Sequence, residues 1–299
     1  MDKVKEPQSV TIRQPATANL MVDASDRDRA RYPSPWDFQI NKTNALLNGF
    51  FNRIALSEAC LEWDIPTIQT ATTVRTPNNY LVWQTSTLGS FVTSTPSQYV
   101  QTAADYLDVH VARANALSSI TGFSTSVSTM EGRKCLVGNN PFNFSTTTLA
   151  KQFAFPVGSP PLTSSNTNIE LFNPDLRRYK FIDFVSNQLT YNQDVKDSTT
   201  NNRVVDVLQR WYMSYPNENT YDKYGFPIYM GYKPFSMTKQ YNPPKQIKWD
   251  SIQPVGNLGF QVYGEPCPQD NVANYPYDII DSGLAYRNNF LLTLQVSEN

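Results

Sequence analysis

Short stretches in which every second residue is apolar recur along the chain, with proline and glycine between them. The clearest lies near the C-terminus, where the alternating apolar residues are Phe290, Leu292, Leu294 and Val296. This period of two is the pattern of a half-buried β-strand. The chain of 299 residues has 21 prolines, 12 glycines and only 17% charged residues, whereas long helices need abundant Ala, Leu, Glu and Lys. These features predict a loop-rich β protein.

Strands and one helix are predicted from local patterns. The strands are expected near residues 36–40, 53–63, 80–84, 91–93, 123–128, 134–137, 142–145, 152–155, 178–190, 204–213, 246–249, 258–263 and 290–296. A change of apolar phase near Ser57 indicates a bulge or a change of sheet. Thr102, with Asp105 three residues later, is a good N-cap for a helix of about four turns. The set predicts an all-β sandwich of two antiparallel sheets with one short helix and long loops.

The predicted domain organisation is an arm followed by one domain. Residues 1–35 are polar and lack periodicity, so we interpret them as an extended N-terminal arm. Residues 36–299 are assigned to the sandwich. Within it, residues 215–246 form a loop excursion rich in tyrosine and proline, which is either a ligand surface or an ordered loop packed on its own sandwich.

Residues that would support catalysis or metal binding are sparse. His110 is the only histidine, and its place beside the apolar stripe of the helix predicts a surface or rim position. Asp23, Asp26 and Asp28 alternate with arginines, so salt bridges within or between subunits are favoured over a calcium site. No zinc cluster, Gly-rich phosphate loop or nucleophile elbow is found. We therefore predict no catalytic, metal-binding or cofactor-binding residues and no cofactor.

Charge and cysteine content bear on compartment and partners. The net charge is −1, which argues against a generally basic nucleic-acid-binding protein. The three cysteines are widely spaced and are expected to be reduced thiols. The first twenty residues lack the apolar core of a signal peptide, and no run reaches the length of a membrane helix. We expect synthesis in a cytosol-like compartment and no membrane span.

Four segments together resemble the single jelly-roll capsid proteins of virophages, Polinton-like viruses and nucleocytoplasmic large DNA viruses, with the penton and related minor capsid proteins as the nearest match. The segments are DRDRARYPSPWDFQI at residues 26–40, the YVQTAADYL stretch at residues 99–107, FIDFVSNQLT at residues 181–190 with VKDST at residues 195–199, and the C-terminal pieces PKQIKW, QPVGNL and FLLTLQVSE at residues 244–249, 253–258 and 290–298. They span nearly the whole chain in consistent order.

The resemblance implies a structural component of an icosahedral double-stranded DNA virus. It implies a jelly roll of eight strands in two four-stranded sheets, found in the virion and made in the host cytoplasm or a viral factory. The implied partners are copies of the chain in a homopentamer, the major capsid protein and other minor capsid proteins, without specific nucleic-acid binding. The pentameric vertex is the first assignment, and a minor capsid or cement role between major capsid units is the alternative.

Two other classes of function compete with this one. A glycan-binding attachment module would stack sugars on loop tyrosines such as Tyr221, Tyr224 and Tyr229. A glycoside hydrolase would need two facing carboxylates, and the sequence singles out no such pair, so no enzymatic activity is predicted. For the capsid hypothesis the density of aromatic and charged residues outside clear strands predicts these interface residues: Arg27, Asp28, Arg29, Trp36, Tyr215, Tyr221, Tyr224, Tyr229 and Tyr232.

Overall fold

The computed structural model describes residues 17–41, 52–70, 77–85, 89–117, 123–127, 134–155, 168–171, 176–177, 179–186, 188–189, 207–213, 235–248, 257–266, 278–280 and 288–297. The strands in these residues, numbered along the chain, are β1 (Thr17–Asp23), β2 (Asp37–Asn41), β3 (Arg53–Trp63), β4 (Tyr80–Thr85), β5 (Gly89–Ser94), β6 (Phe123–Val127), β7 (Lys134–Gly138), β8 (Phe142–Phe144), β9 (Asn168–Glu170), β10 (Tyr179–Val185), β11 (Val207–Tyr212), β12 (Phe235–Gln240), β13 (Gln246–Lys248), β14 (Asn257–Pro266), β15 (Asp278–Ile279) and β16 (Asn289–Ser297). The helices are α1 (Ala103–Leu117) and α2 (Thr148–Gln152), with a turn of 3₁₀ helix at Ala24–Asp26. The predicted β-rich fold is confirmed.

Two antiparallel sheets form the sandwich. Sheet A has the order β1-β16-β3-β12, and β13 continues beside β3 after β12. Sheet B has the order β11-β10-β14, and both β15 and β2 pair with β14. If β12 and β13 count as one position, and β2 with β15 as another, each sheet has four positions. Numbered along the chain, these positions run 1-8-3-6 in sheet A and 2-7-4-5 in sheet B, which is the strand order of a jelly roll.

The central strands of sheet A show the alternation that the sequence predicts. Along β16, Phe290, Leu292, Leu294 and Val296 are buried and the residues between them are not. The phase change in β3 is a bulge, because Thr293 pairs with Glu58 while Leu294 pairs with Leu56. This leaves Ser57 as the extra residue, and its hydroxyl donates to the Thr293 carbonyl oxygen at 2.9 Å. The predicted bulge is therefore confirmed.

Aromatic rings fill the space between the two sheets. The Phe290 ring of sheet A lies 5.8 Å from the Phe184 ring of sheet B, measured between centroids. Trp36, in the segment before β2, stacks on Phe290 at 6.0 Å and contacts Trp63 at 5.8 Å. All of β10 except Lys180 is buried on both faces, as the apolar residues in both phases of that strand predict.

A second core lies in a long insertion between β3 and β10. It contains the three-stranded sheets β5-β4-β8 and β6-β7-β9 together with both helices. Its buried side chains form a cluster separate from the sandwich core, with Trp83, Leu107 and Phe144 at full burial. The described residues therefore form two separate clusters of buried hydrophobic side chains, whereas the sequence analysis assigns residues 36–299 to one sandwich.

The predicted helix and hairpin of this insertion are confirmed. The Asp105 amide donates to the Thr102 hydroxyl at 3.2 Å, and that hydroxyl donates to the Asp105 carboxylate at 2.8 Å. The predicted strand at residues 152–155 is wrong. There the structure has the end of α2 and the turn after it, because the Thr147 hydroxyl caps the helix by accepting from the Ala150 amide at 3.1 Å.

The N-terminal arm is corrected in its described part. Residues 17–23 form β1, which pairs with β16 over seven residues, and Val22 and Ala24 are buried in the sandwich core. The excursion at residues 215–246 is described only from residue 235, where β12 and β13 lie at the edge of sheet A beside β3. That edge position agrees with the exclusion of a proline-rich segment from a central strand. None of the described helices has the length and apolarity needed to span a membrane.

Candidate functional site

The turn that joins β1 to β2 carries three of the predicted interface residues. The Arg27 guanidinium donates three hydrogen bonds to backbone carbonyls of the same turn: to Ala24 at 2.8 Å, Tyr32 at 2.9 Å and Pro33 at 3.0 Å. These bonds use Nε and both terminal nitrogens. Arg27 therefore holds the turn in shape, and the predicted salt bridges of this cluster are replaced at Arg27 by bonds to the backbone.

Asp28 and Arg29 lie at the exposed tip of this turn. The Asp28 carboxylate accepts from the amides of Ala30 at 3.0 Å and Arg31 at 3.3 Å, and the Tyr32 amide donates to the Asp28 carbonyl oxygen at 2.7 Å. The side chains of Asp28, Arg29 and Arg31 are all exposed. The turn is thus a preordered, charged projection at one end of the sandwich.

Asp23 fixes the start of the same turn. Its carboxylate accepts from the Ser25 amide at 2.8 Å and from the Asn289 side-chain amide at 3.0 Å. Partial burial raises the pKa of this carboxyl, but the hydrogen bonds from Ser25 and Asn289 outweigh the burial and hold the pKa below its usual range. The carboxylate is therefore ionised at neutral pH and ties the turn to β16.

Trp36 lies away from any surface. Its side chain has no exposed area and packs between Trp63 and Phe290 in the sandwich core. This differs from the expectation of an interface residue. The only tryptophan of the proline-rich segment before β2 is a core side chain, and not a surface one. In this fold Trp36 presents nothing to a neighbouring molecule.

The five predicted interface tyrosines, Tyr215, Tyr221, Tyr224, Tyr229 and Tyr232, lie outside the described residues. Their assignment to an interface, and the alternative of glycan stacking, both stay predictions.

A charged and aromatic cluster on the outer face of sheet B was not predicted from the sequence. Arg210 on β11 forms a bidentate pair with the fully buried Asp183 on β10, with nitrogen–oxygen distances of 2.8 and 2.9 Å. The same guanidinium lies 3.6 Å from the ring centroid of Phe181, and the exposed Tyr212 is next to that ring. The hydrogen bonds that Arg210 donates to Asp183, together with the charge of that carboxylate, raise the pKa of Arg210 although burial opposes this. The signal in the sequence is a single acid within the apolar run FIDFV.

His110 is buried, which corrects the predicted surface or rim position. It lies in the second core, where its Nδ1 is 2.7 Å from the Thr93 hydroxyl and its ring meets Tyr106 edge-on at 4.8 Å. The Trp83 indole donates to the same hydroxyl at 2.9 Å, so Thr93 links the indole to the imidazole inside the second core. Burial, with a smaller contribution from Arg113, lowers the pKa of His110 to about 3.

The described residues bring together no group of three or more His, Cys, Asp or Glu side chains that would hold a metal ion. Cys60 and Cys135 are free thiols, Cys60 half-buried and Cys135 buried. The buried His110 has the Thr93 hydroxyl as its hydrogen-bond partner among the described residues. The described geometry is that of a scaffold with a charged end turn and an aromatic outer face.

No protein-family model matches the chain, and no curated protein matches it significantly. Two solved structures are similar to it over nearly their whole length. The crystal structure of the mavirus penton protein aligns with a TM-score of 0.45 and 10% sequence identity, covering 96% of this chain and 100% of its own. A chain of the Sputnik virophage, solved by cryo-electron microscopy, aligns with a TM-score of 0.45 and 12% identity, covering 95% of this chain and 98% of its own.

Proposed function

We propose that this chain is a structural protein of an icosahedral virus capsid, and more specifically the pentameric vertex protein. A place between major capsid units, as another minor capsid or cement protein, is the alternative within the same class. The proposed location is the virion, and the proposed role is assembly rather than catalysis.

The observation that carries the proposal is where the capsid-like sequence segments fall in the jelly roll. Residues 26–40 cover the end turn and β2, and residues 99–107 lead into α1. Residues 181–190 include most of β10, residues 244–249 include β13, and residues 290–298 include all of β16 except Asn289. The resemblance therefore follows strand positions two, four, six and eight of the fold in order, rather than one local motif.

The physical character of the chain suits a shell subunit. Two packed sheets give a rigid body, and the net charge of −1 allows many copies to lie side by side without strong mutual repulsion. The proposed partners are other copies of the chain, the major capsid protein and other minor capsid proteins. The exposed tip formed by Asp28 and Arg29 is one proposed contact, because the bonds of Arg27 order it before a partner arrives.

The oligomeric state and the particle composition test this proposal. We expect light scattering on the purified full chain to give the mass of five copies, and mass spectrometry of purified particles to detect the chain. The substitution Arg29→Glu should weaken the pentamer without lowering the thermal midpoint, since the Arg29 side chain is exposed at the tip of the turn. Gln295→Glu, at an exposed site on sheet A, is the matched control.

A strict monomer at high concentration, together with absence of the chain from purified particles, would refute the capsid role. A stable oligomer of another number in particles that contain the chain would refute only the vertex assignment and favour the alternative place between major capsid units.

A further inference from the structure

The outer edge of β1 is an open edge of sheet A. β1 pairs with β16 on one side over seven residues without a register shift, and no other described strand pairs with its opposite side. Residues 17–22 include no charged residue and no proline, and Thr17, Ala18, Asn19 and Met21 are exposed. Natural proteins usually protect such edges with charges, prolines, bulges or short strands, because an open edge offers unpaired backbone groups to another strand.

The other edges of the sandwich have that protection. β11 carries Arg210, and its pairing with β10 has a register shift. The edge of sheet A opposite to β1 is split into β12 and β13 by residues 241–245, which include two prolines. The remaining edge of sheet B consists of β2, with five residues, and β15, with two. Among the described edges of the sandwich, β1 alone is long, unbroken and uncharged up to its last residue.

We propose that the open edge of β1 pairs, antiparallel, with the same edge of a second copy of this chain. Backbone groups at a strand edge are satisfied best by another strand, so the occupant is an extended segment. A second copy fits because β1 is complementary to itself about a twofold axis at Leu20. Ala18 then lies opposite Val22, Asn19 opposite Met21, and the only acid, Asp23, opposite Thr17.

The register about Leu20 continues the apolar inner face of sheet A from one copy to the other. Val22 is buried and Leu20 half-buried on that inner face, whereas Met21 is 65% exposed on the outer face. Pairing would cover the free side of Leu20 in both copies, and no like charges would meet. A shift of the pairing by one residue would place Leu20 of the second copy on the outer face of the first, so registers of that kind are disfavoured.

The contact is isologous, so it joins two copies and closes no five-membered ring. It goes beyond the proposed vertex role, which needs a heterologous contact, and does not depend on it. The two contacts can therefore be measured separately. The β1 contact would produce pairs of copies or pairs of rings, whereas the vertex contact determines the number of copies in one ring.

The test is a charge exchange across the proposed axis, measured by sedimentation velocity of the full chain. In the variant Asn19→Lys with Met21→Lys, each lysine lies opposite a lysine of the second copy, and we expect the twofold dissociation constant to rise by about tenfold or more. The variant Asn19→Glu with Met21→Glu should be weakened in the same way. An equal mixture of the two should recover the association, because each lysine then meets a glutamate.

The matched control is Thr293→Lys with Gln295→Lys. These residues pair with Met21 and Asn19 in the same rows of the outer face, one strand inside the edge, so the same charge is added away from the contact. We expect the control to self-associate like the unmodified chain. Equal thermal midpoints of all variants would show that the fold is kept.

The inference would be overturned by an unmodified chain with no twofold association, by an association unaffected by the lysine pair, or by a mixture of lysine and glutamate variants that stays dissociated. If the lysine pair instead lowers only the incorporation of the chain into particles, the edge is occupied by a different protein, which also overturns it. A ring of five copies that persists in the lysine variant would leave the proposed function standing in every case.

Discussion

Acidification should weaken the second core through His110. The imidazole is fully buried and neutral, is hydrogen-bonded to the Thr93 hydroxyl through Nδ1 and lies beside Tyr106, and no described carboxylate or second hydrogen-bond partner would stabilise its protonated form. Its pKa falls from an ordinary 6.5 to about 3 on folding. Because the unfolded chain binds the proton more readily, the stability given by the neutral ring is complete above pH 6.5 and is lost as the pH falls toward 3.

The size of the effect follows from this difference in pKa. At pH 5 the unfolded imidazole is almost fully protonated while the folded one stays neutral, so the free energy of unfolding should be about 2 kcal/mol lower than at pH 7. Between pH 6 and pH 4 unfolding should take up about one proton at this site. Carboxyl groups add little over the upper part of this range, because their ordinary pKa values lie near 4.

The assay is urea unfolding at pH 7, 6 and 5, for the unmodified chain and for the variant His110→Asn. Asparagine offers an oxygen to Thr93 but does not titrate. The variant is expected to be less stable at pH 7, and the difference between the two proteins should shrink by about 2 kcal/mol on going to pH 5. Parallel pH profiles for the two proteins would refute the assignment of the acid sensitivity to His110.

Two further predictions concern the sandwich. Arg210→Ala should lower the free energy of unfolding by about 3 kcal/mol, since it leaves the buried Asp183 carboxylate without its bidentate partner. A loss below about 0.5 kcal/mol, measured by urea unfolding, would contradict this. Gly264→Ala should cost about 2–3 kcal/mol, because an added Cβ would lie 2.4 Å from Cδ1 of the buried Tyr179 ring. Gly259→Ala should be milder, because its Cβ would meet the end of the flexible Gln188 side chain at 3.2 Å and the Gln39 side chain at an ordinary 3.5 Å. Equal thermal midpoints for the two variants would show that the Tyr179 ring moves aside.

Features that depend on neighbours in sequence were predictable. The alternation in β16, the bulge at Ser57 and the cap formed by Thr102 with Asp105 are each encoded within a few residues, and each is present in the structure. In such cases side-chain periodicity and local hydrogen bonding decide the conformation.

Features that depend on partners far along the chain were missed. Residues 17–23 lack a strong strand pattern, and they become β1 because β16 offers them an edge more than 260 residues later. The strand expected at residues 152–155 is wrong because a few apolar residues cannot distinguish a strand from the end of a helix. Thr147, which precedes the apolar run, favours the helix by capping its N-terminus.

The candidate site divides in the same way. Its composition could be read from the chain itself: a charged turn, a scarcity of histidine and cysteine, and a set of capsid-like segments in a fixed order. The roles of its residues could not, because burial and pairing depend on the three-dimensional packing of distant segments. Packing placed Trp36 and His110 inside two different cores and left the edge of β1 open. It also directed the Arg27 guanidinium to backbone carbonyls and paired Asp183 with Arg210.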